Sequence, residues 1–300
     1  MLPRNATLVI LALAAAPACA TTGAHRAATQ STDEAELAYQ RAMDLYQDES
    51  WPEAAEAFRA LQRAHGTSRF ATLAELRLAD VEFKQEHYTE ALSAFRAWLR
   101  YHPTHTEAPY ARFMIARCHV EQMPEDWFLT PPSWERDLSS ARDADTALTR
   151  FLRDHGDSAQ AAEARALQRR VREILVRHEI YVANFYANRD HHAAAASRLL
   201  GVLSRYHDSG LESLALLRLG ETYLRMARTP EARGAFTMLR ETYPRSAEAE
   251  AAAQHLARVG AGPSTPVQPE EAPNAEETPG ATEDVTPSTP NPETTPPRRK

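Results

Sequence analysis

The sequence is poor in cysteine and glycine, with two and ten residues respectively in a chain of 300. Two cysteines cannot form the disulfide framework on which many small secreted folds depend. The chain also lacks long stretches of alternating apolar and polar residues, so a β-sheet is not indicated. Cys118 lies beside Met114 and Ile115 in an apolar stretch, which predicts a buried thiol. Alanine is abundant instead, and we predict an all-α fold.

The short motifs that carry catalytic chemistry or bind cofactors are also missing. The sequence has no Gly-x-Ser-x-Gly motif, no Walker loop and no dinucleotide-binding glycine pattern. Its twelve histidines form no His-x3-His pair, and no Cys-x2-Cys motif occurs. The net charge of −7 disfavours a nucleic-acid partner. We therefore expect a protein that is not an enzyme and that uses no cofactor or metal.

The N-terminus has the pattern of a secretory leader. Residues 1–18 carry an arginine followed by an apolar run that is too short for a permanent membrane span. A small residue directly precedes Cys19, which resembles the lipobox of bacterial lipoproteins and predicts lipidation of this cysteine. Plain secretion, with cleavage after Ala18 or Ala20, is the alternative. Residues 19–32 are small and polar, and we predict a lipidated, flexible tether.

From Asp33 onward one helical pattern recurs five times. Each predicted helix ends in a similar tetrapeptide: His65-Gly-Thr-Ser, His102-Pro-Thr-His, His155-Gly-Asp-Ser, His207-Asp-Ser-Gly and Tyr243-Pro-Arg-Ser. An alanine lies eleven residues before each ending, namely Ala54, Ala91, Ala144, Ala196 and Ala232. Large apolar residues follow that alanine at four and seven positions, so all three lie on one helical stripe.

This stripe is the tetratricopeptide pattern, in which a small residue lets two helices of a hairpin approach closely. We predict five such hairpins within residues 33–259, arranged in a right-handed superhelix. In the fourth unit, a turn with Asp190 as N-cap follows a long first helix. This helix is predicted to bury two apolar faces, one with Tyr181 and Phe185 and another with Val176, Ile180 and Ala183. Residues 260–300 contain ten prolines and few large apolar residues, which predicts a disordered tail.

The third unit carries an insertion, Gln122–Glu135, that is rich in proline and aromatic residues. Its aromatic residues Trp127, Phe128 and Trp134 are candidates for partner binding, because exposed aromatic side chains often mark a contact surface. A loop that folds back on the third unit explains the same composition equally well.

The order of these features resembles the BamD family, the lipoproteins of the outer-membrane β-barrel assembly machinery. The stretches Tyr88-Thr-Glu-Ala-Leu-Ser-Ala-Phe and Tyr181-Val-Ala-Asn-Phe-Tyr carry the resemblance, and Ala194-Ala-Ala-Ser-Arg198-Leu continues it. The resemblance covers about Glu34 to Ala249. It implies a scaffold anchored at the periplasmic face of the outer membrane.

By this resemblance, units one and two present a groove to unfolded outer-membrane proteins, and units three to five dock the barrel-forming subunit BamA. Arg198 then corresponds to the contact with the last POTRA module of that subunit. Another periplasmic tetratricopeptide lipoprotein, which coordinates cell division or peptidoglycan synthesis in the manner of the Tol-Pal system, is the alternative.

Overall fold

The computed structural model describes residues 20–124 and 131–268, with side chains from Thr32 onward. All regular structure within these ranges is helical, which confirms the predicted all-α class. The helices are α1 (Ala20–Gln47), α2 (Trp51–Ala64), α3 (Arg69–Lys84), α4 (Tyr88–Tyr101), α5 (Ala108–Glu121), α6 (Ser139–His155), α7 (Ala161–Ala187), α8 (His192–Arg205), α9 (Glu212–Arg225), α10 (Thr229–Thr242) and α11 (Ala247–Val259). None of these helices is long and apolar enough to cross a membrane.

Successive helices form five hairpins, α1/α2, α3/α4, α5/α6, α7/α8 and α9/α10, and α11 follows the last. The chain divides into two compact parts: the first runs to Tyr181 within α7 and includes Asp208–Leu211, and the second comprises Val182–His207 and the chain from Glu212 onward. In the first compact part α1 contacts both α2 and α3, and in the second compact part α9 contacts both α10 and α11. The first helices α1 and α9 are therefore each held by their own partner and by the helix that follows that partner.

The predicted stripe is buried in the second helix of four of the five hairpins. Ala54, Ala91, Ala144 and Ala232 have no exposed surface, which confirms their place at the helix crossings. The large residues of the same stripes are also buried: Phe58, Leu61, Phe95, Trp98, Leu148, Phe151, Phe236 and Leu239. Burying each such side chain contributes about 1.5–3 kcal/mol, so the stripe supplies the main packing energy of a hairpin.

The fourth unit is one residue out of the predicted register. Ala195, Leu199 and Val202 form its buried stripe. Ala196 is also buried, as predicted, whereas the predicted Leu200 and Leu203 are partly exposed. The reason lies at the helix end, where the N–H of Tyr206 donates to the carbonyl of Val202. The N–H groups of His65, His102 and Tyr243 make the same bond in α2, α4 and α10. Tyr206, and not His207, is therefore the equivalent residue.

A common turn joins the helices of four hairpins. Its central residue has a left-handed backbone in each case: Glu49 (φ 58), Glu86 (φ 64), Asp190 (φ 61) and Ala227 (φ 58). The next N–H donates to the carbonyl five residues back, from Ser50 to Leu45 and from His191 to Tyr186. This is the Schellman arrangement, which normally uses glycine. The prediction that Asp190 is the N-cap of α8 is wrong, because that position is His191.

The long helix α7 was predicted to bury two apolar faces, and it buries one. Val176, Ile180 and Ala183 are buried as predicted. Tyr181 and Phe185 are 44% and 45% exposed, so the prediction that they are buried is wrong. Arg189 lies one helical turn after Phe185 and forms a cation–π contact with it. The Arg189 guanidinium is 3.6 Å from the centre of the Phe185 ring.

Both ends of the described chain are more regular than the composition predicted. Helix α1 begins at Ala20, so residues 20–32 are helical where a flexible tether was predicted, because the segment holds no proline. At the other end, the chain beyond α11 packs on α10, and the N–H of Thr265 donates to Pro230 at 2.9 Å. A Cβ on Gly234 would lie 1.7 Å from the Thr265 carbonyl, so this contact requires glycine. Residues 269–300 lie outside the described part.

The corrected register of α8 is tested by overpacking. Ala195→Leu should lower the free energy of unfolding by about 1–3 kcal/mol, because the added atoms must enter a filled helix crossing. Ala193→Leu, on the exposed side of the same helix, is the matched control and should cost little. Chemical denaturation of both variants measures the difference. Equal costs would show that Ala195 does not lie at the crossing.

Candidate functional site

A buried polar network joins the first helices of three hairpins. Asp80 of α3 is 1% exposed and accepts hydrogen bonds from Arg77 at 2.5 Å and from the hydroxyl of Tyr110 at 2.7 Å. Arg77 also donates to the hydroxyl of Tyr39 at 3.4 Å. Tyr39 lies on α1 and Tyr110 on α5, so one ion pair on α3 reaches both neighbouring first helices.

Burial governs the electrostatics of this network. It raises the pKa of Asp80, and the Arg77 guanidinium and the Tyr110 hydroxyl oppose that rise. It also raises the pKa of Tyr46 to about 12, with a further contribution from the Asp80 carboxylate. A buried charge is tolerated only when it is paired and hydrogen-bonded. The network is thus a fixed structural element that sets the spacing of α1, α3 and α5.

The sequence did not reveal this network. Arg77 and Asp80 are three residues apart in a helix, which is the spacing of an ordinary exposed ion pair. Only the packing of α1 and α5 against α3 makes the pair buried. The one available signal was the presence of tyrosines at corresponding places in the neighbouring first helices.

The described part of the insertion packs on α7, the first helix of the fourth hairpin. Ser133–Glu135 form a short 3-10 helix, and the imidazole of His178 donates from Nδ1 to the carbonyl of Trp134 at 2.6 Å. The guanidinium of Arg177 lies 5.3 Å from the centre of the Trp134 ring. Trp134 therefore packs on a helix of the fourth hairpin, whereas the folded-back alternative predicted packing on the third unit. Trp127 and Phe128 lie outside the described residues.

A cavity of about 430 Å³ lies between the two ends of the insertion and α7. Met123 and Trp134 line it from the insertion, and Arg170, Glu173 and Arg177 line it from α7. The wall of the cavity that α7 forms is mainly polar.

The other residues that the sequence analysis singled out lie at separate places in the chain. Arg198 is partly exposed on α8 and has an interaction within its own chain. Cys118 is fully buried, as predicted, and burial raises the pKa of its thiol to about 12, which makes it a poor nucleophile. Cys19 lies outside the described residues. The described ranges contain no group of three potential metal-ligating side chains.

Comparison with known proteins gives the family. The family model described as "YfiO: Outer membrane lipoprotein" matches residues 31–238, which is more than half of the chain. The chain belongs to the YfiO family. The match includes all five hairpins up to Met238 in α10, and the family description places its members at the outer membrane.

Curated relatives of this YfiO protein share one name, "Outer membrane protein assembly factor BamD". The relative from Pasteurella multocida is 34% identical over 30% of this chain and 35% of its own length. The relative from Caulobacter vibrioides is 25% identical over 70% of this chain and 66% of its own length. The relative from Neisseria meningitidis is 28% identical over 76% of this chain and 87% of its own length. The chain thus spans less than two thirds of the first two relatives.

The Asp80 network is tested by removing one partner. Asp80→Leu should lower the free energy of unfolding by about 3–5 kcal/mol, because Arg77 is left buried without its counter-ion. Combining it with Arg77→Met should recover most of the loss, since the isolated charge is removed. Urea denaturation followed by circular dichroism measures both variants.

Glu173→Leu is the matched control, because it breaks an exposed pair with Arg177 on α7. It should cost less than about 1 kcal/mol. A cost for Asp80→Leu as small as that of the control would contradict a structural role for the network.

Proposed function

We propose that this protein is a non-enzymatic scaffold of the machinery that assembles β-barrel proteins in the outer membrane. The observation that carries the proposal is the family match over residues 31–238, together with the shared name of the curated relatives. Stacked helical hairpins suit this role because they present extended surfaces to other chains. The surface of units one and two receives unfolded outer-membrane proteins, and units three to five dock the barrel-forming subunit.

A lipid anchor holds the scaffold at the periplasmic face of the outer membrane. Cys19 is the residue modified, and the leader that precedes it is removed. A single acyl chain binds a membrane only marginally, so the several chains of a bacterial lipoprotein are needed for stable attachment.

Arg198 on α8 forms the contact with the barrel-forming subunit, in the form of an ion pair with a carboxylate of its last POTRA module. Arginine suits such a contact because its planar guanidinium can make two parallel hydrogen bonds to one carboxylate. Ala195 and Leu199 on either side of Arg198 are buried, which fixes the helix from which the side chain projects.

Arg198→Glu tests the docking contact. The variant should lose about 2–5 kcal/mol of binding free energy and co-purify with far less of the barrel-forming subunit. Arg240→Glu on α10 makes the same charge change at an exposed position and is the matched control. Thermal melting of both variants reports on folding. Wild-type yield of the subunit with Arg198→Glu would refute the contact.

Cys19→Ser tests the anchor. In cells labelled with radioactive palmitate, the wild-type chain should incorporate label, and the variant should lose the label and leave the membrane fraction. Cys118→Ala removes the buried cysteine, and this variant should still incorporate the label and stay in the membrane fraction. An unlabelled wild-type chain in the soluble periplasmic fraction would support plain secretion instead.

A further inference from the structure

The chain that follows α11 lies against α10 as a segment without regular structure. Gly260 ends α11 with a φ of 69°, a left-handed backbone that glycine adopts at little cost. The N–H of Thr265 then donates to the carbonyl of Pro230, in the first turn of α10, at 2.9 Å. We call residues 260–268 the strap. Apart from Val267 these residues are exposed, so backbone contacts and not a hydrophobic core hold the strap on α10.

One arginine of α10 binds the start of the strap. Nη1 of Arg233 donates to the carbonyl of Pro263, and Nη2 donates to the carbonyl of Val259 at 3.3 Å. The planar guanidinium presents its N–H donors in fixed directions, which suits it to two carbonyls at once. Arg233 therefore fixes the point at which the chain leaves α11 and crosses onto α10.

Two glycines leave the space that the strap needs. Gly234 is buried within α10, and a Cβ there would lie 1.7 Å from the carbonyl oxygen of Thr265. Glycine inside a helix is unfavourable relative to alanine, so the close approach of the strap accounts for its place in α10. On the strap itself, a Cβ on Gly262 would lie 2.7 Å from Nη1 of Arg233. This face of α10 is thus shaped for a backbone with glycine directly before proline.

The central tetrapeptide of the strap occurs twice in the chain. Pro-Ser-Thr-Pro stands at residues 263–266 and again at residues 287–290. Thr286 precedes the second copy, whereas Gly262 precedes the first. A Cβ at that place would lie against the Arg233 guanidinium and displace it from its two carbonyls. The contacts on α10 therefore select the first copy, and the second copy supplies a control.

We propose that α10 carries a binding site for a Gly-Pro-Ser-Thr-Pro backbone and that the chain's own strap occupies it, which closes this face of the fifth hairpin to other chains. The prolines favour an extended backbone, so the segment loses little conformational entropy on binding. Hydrogen bonds at an exposed surface each contribute little net free energy, while the short link to α11 keeps the strap at a high local concentration. The strap is therefore a displaceable internal ligand. This self-inhibited site goes beyond the proposed function, which gives the strap no role.

The test uses the purified full-length chain and a fluorescent peptide with the sequence of residues 261–268, Ala-Gly-Pro-Ser-Thr-Pro-Val-Gln, amidated at its C-terminus. In the strap variant, Gly262→Val is combined with Thr265→Pro, and α10 is left unchanged. The first change obstructs Arg233, and the second removes the N–H that the Pro230 carbonyl accepts. Fluorescence polarisation should show that the peptide binds the strap variant roughly tenfold or more tightly than it binds the wild type, because the tethered competitor is gone.

Three controls place the binding on α10. Thr286→Val combined with Thr289→Pro makes the matching changes in the second copy, and this variant should bind the peptide as weakly as the wild type. A peptide with threonine in place of its glycine should bind the strap variant roughly tenfold more weakly, because it displaces the Arg233 guanidinium. Arg233→Met added to the strap variant should weaken binding of the first peptide to a similar extent. Thermal melting of each variant checks its folding.

A second measurement needs no variant. In the isotopically labelled wild-type chain, a large excess of the unlabelled peptide should speed hydrogen exchange at the Thr265 amide, because the peptide displaces the strap. A strap that only stabilises the end of the fold would keep the same exchange rate.

Two outcomes would overturn the proposal. Equal affinity of the peptide for the strap variant and the wild type would show that the strap closes no binding site. Undiminished binding after Arg233→Met would place the binding elsewhere. Either result leaves the outer-membrane assembly role standing, since that role is tested by co-purification and not by peptide binding.

Discussion

The close approach of paired helices at an alanine is the constraint on which the repeat array depends. At Ala54, Ala91, Ala144 and Ala232 the second helix of a hairpin presents a fully buried methyl group where a larger side chain would separate the helices. The same approach permits the buried phenylalanines and leucines that follow on the stripe. It also places Trp98 so that its indole N–H donates to the carbonyl of Thr72 at 2.9 Å, which ties α4 to α3.

The turns and the polar network act on this packed frame. Four turns use a non-glycine residue in the left-handed region, a conformation that costs about 1–2 kcal/mol and persists because both helices are held by their stripes. In the third hairpin the insertion replaces this turn and packs Trp134 on α7. The Asp80 network then fixes α1, α3 and α5 in the first compact part, so that functional surfaces rest on rigid helices.

The repeated stripe was predictable because its spacing is a property of one helix. The five hairpins and most of their buried residues follow from it directly. The register of α8 was missed because histidine ends three other helices, while here Tyr206 holds that place and His207 follows it. Tyr181 and Phe185 were predicted to be buried from their spacing alone, which does not tell whether a neighbouring helix covers a second face. The Asp80 network depends on contacts between helices far apart in sequence, and no local pattern encodes it.

Depletion of the protein in its own host tests the central claim, the scaffold role in outer-membrane protein assembly, most directly. The measurement is the amount of several unrelated β-barrel proteins in the outer membrane, followed as the protein disappears. The account predicts that all of them decline together before growth stops, and that re-expression restores them. Cell chaining or lysis with normal β-barrel levels would contradict the account and favour a coordinator of cell division or peptidoglycan synthesis.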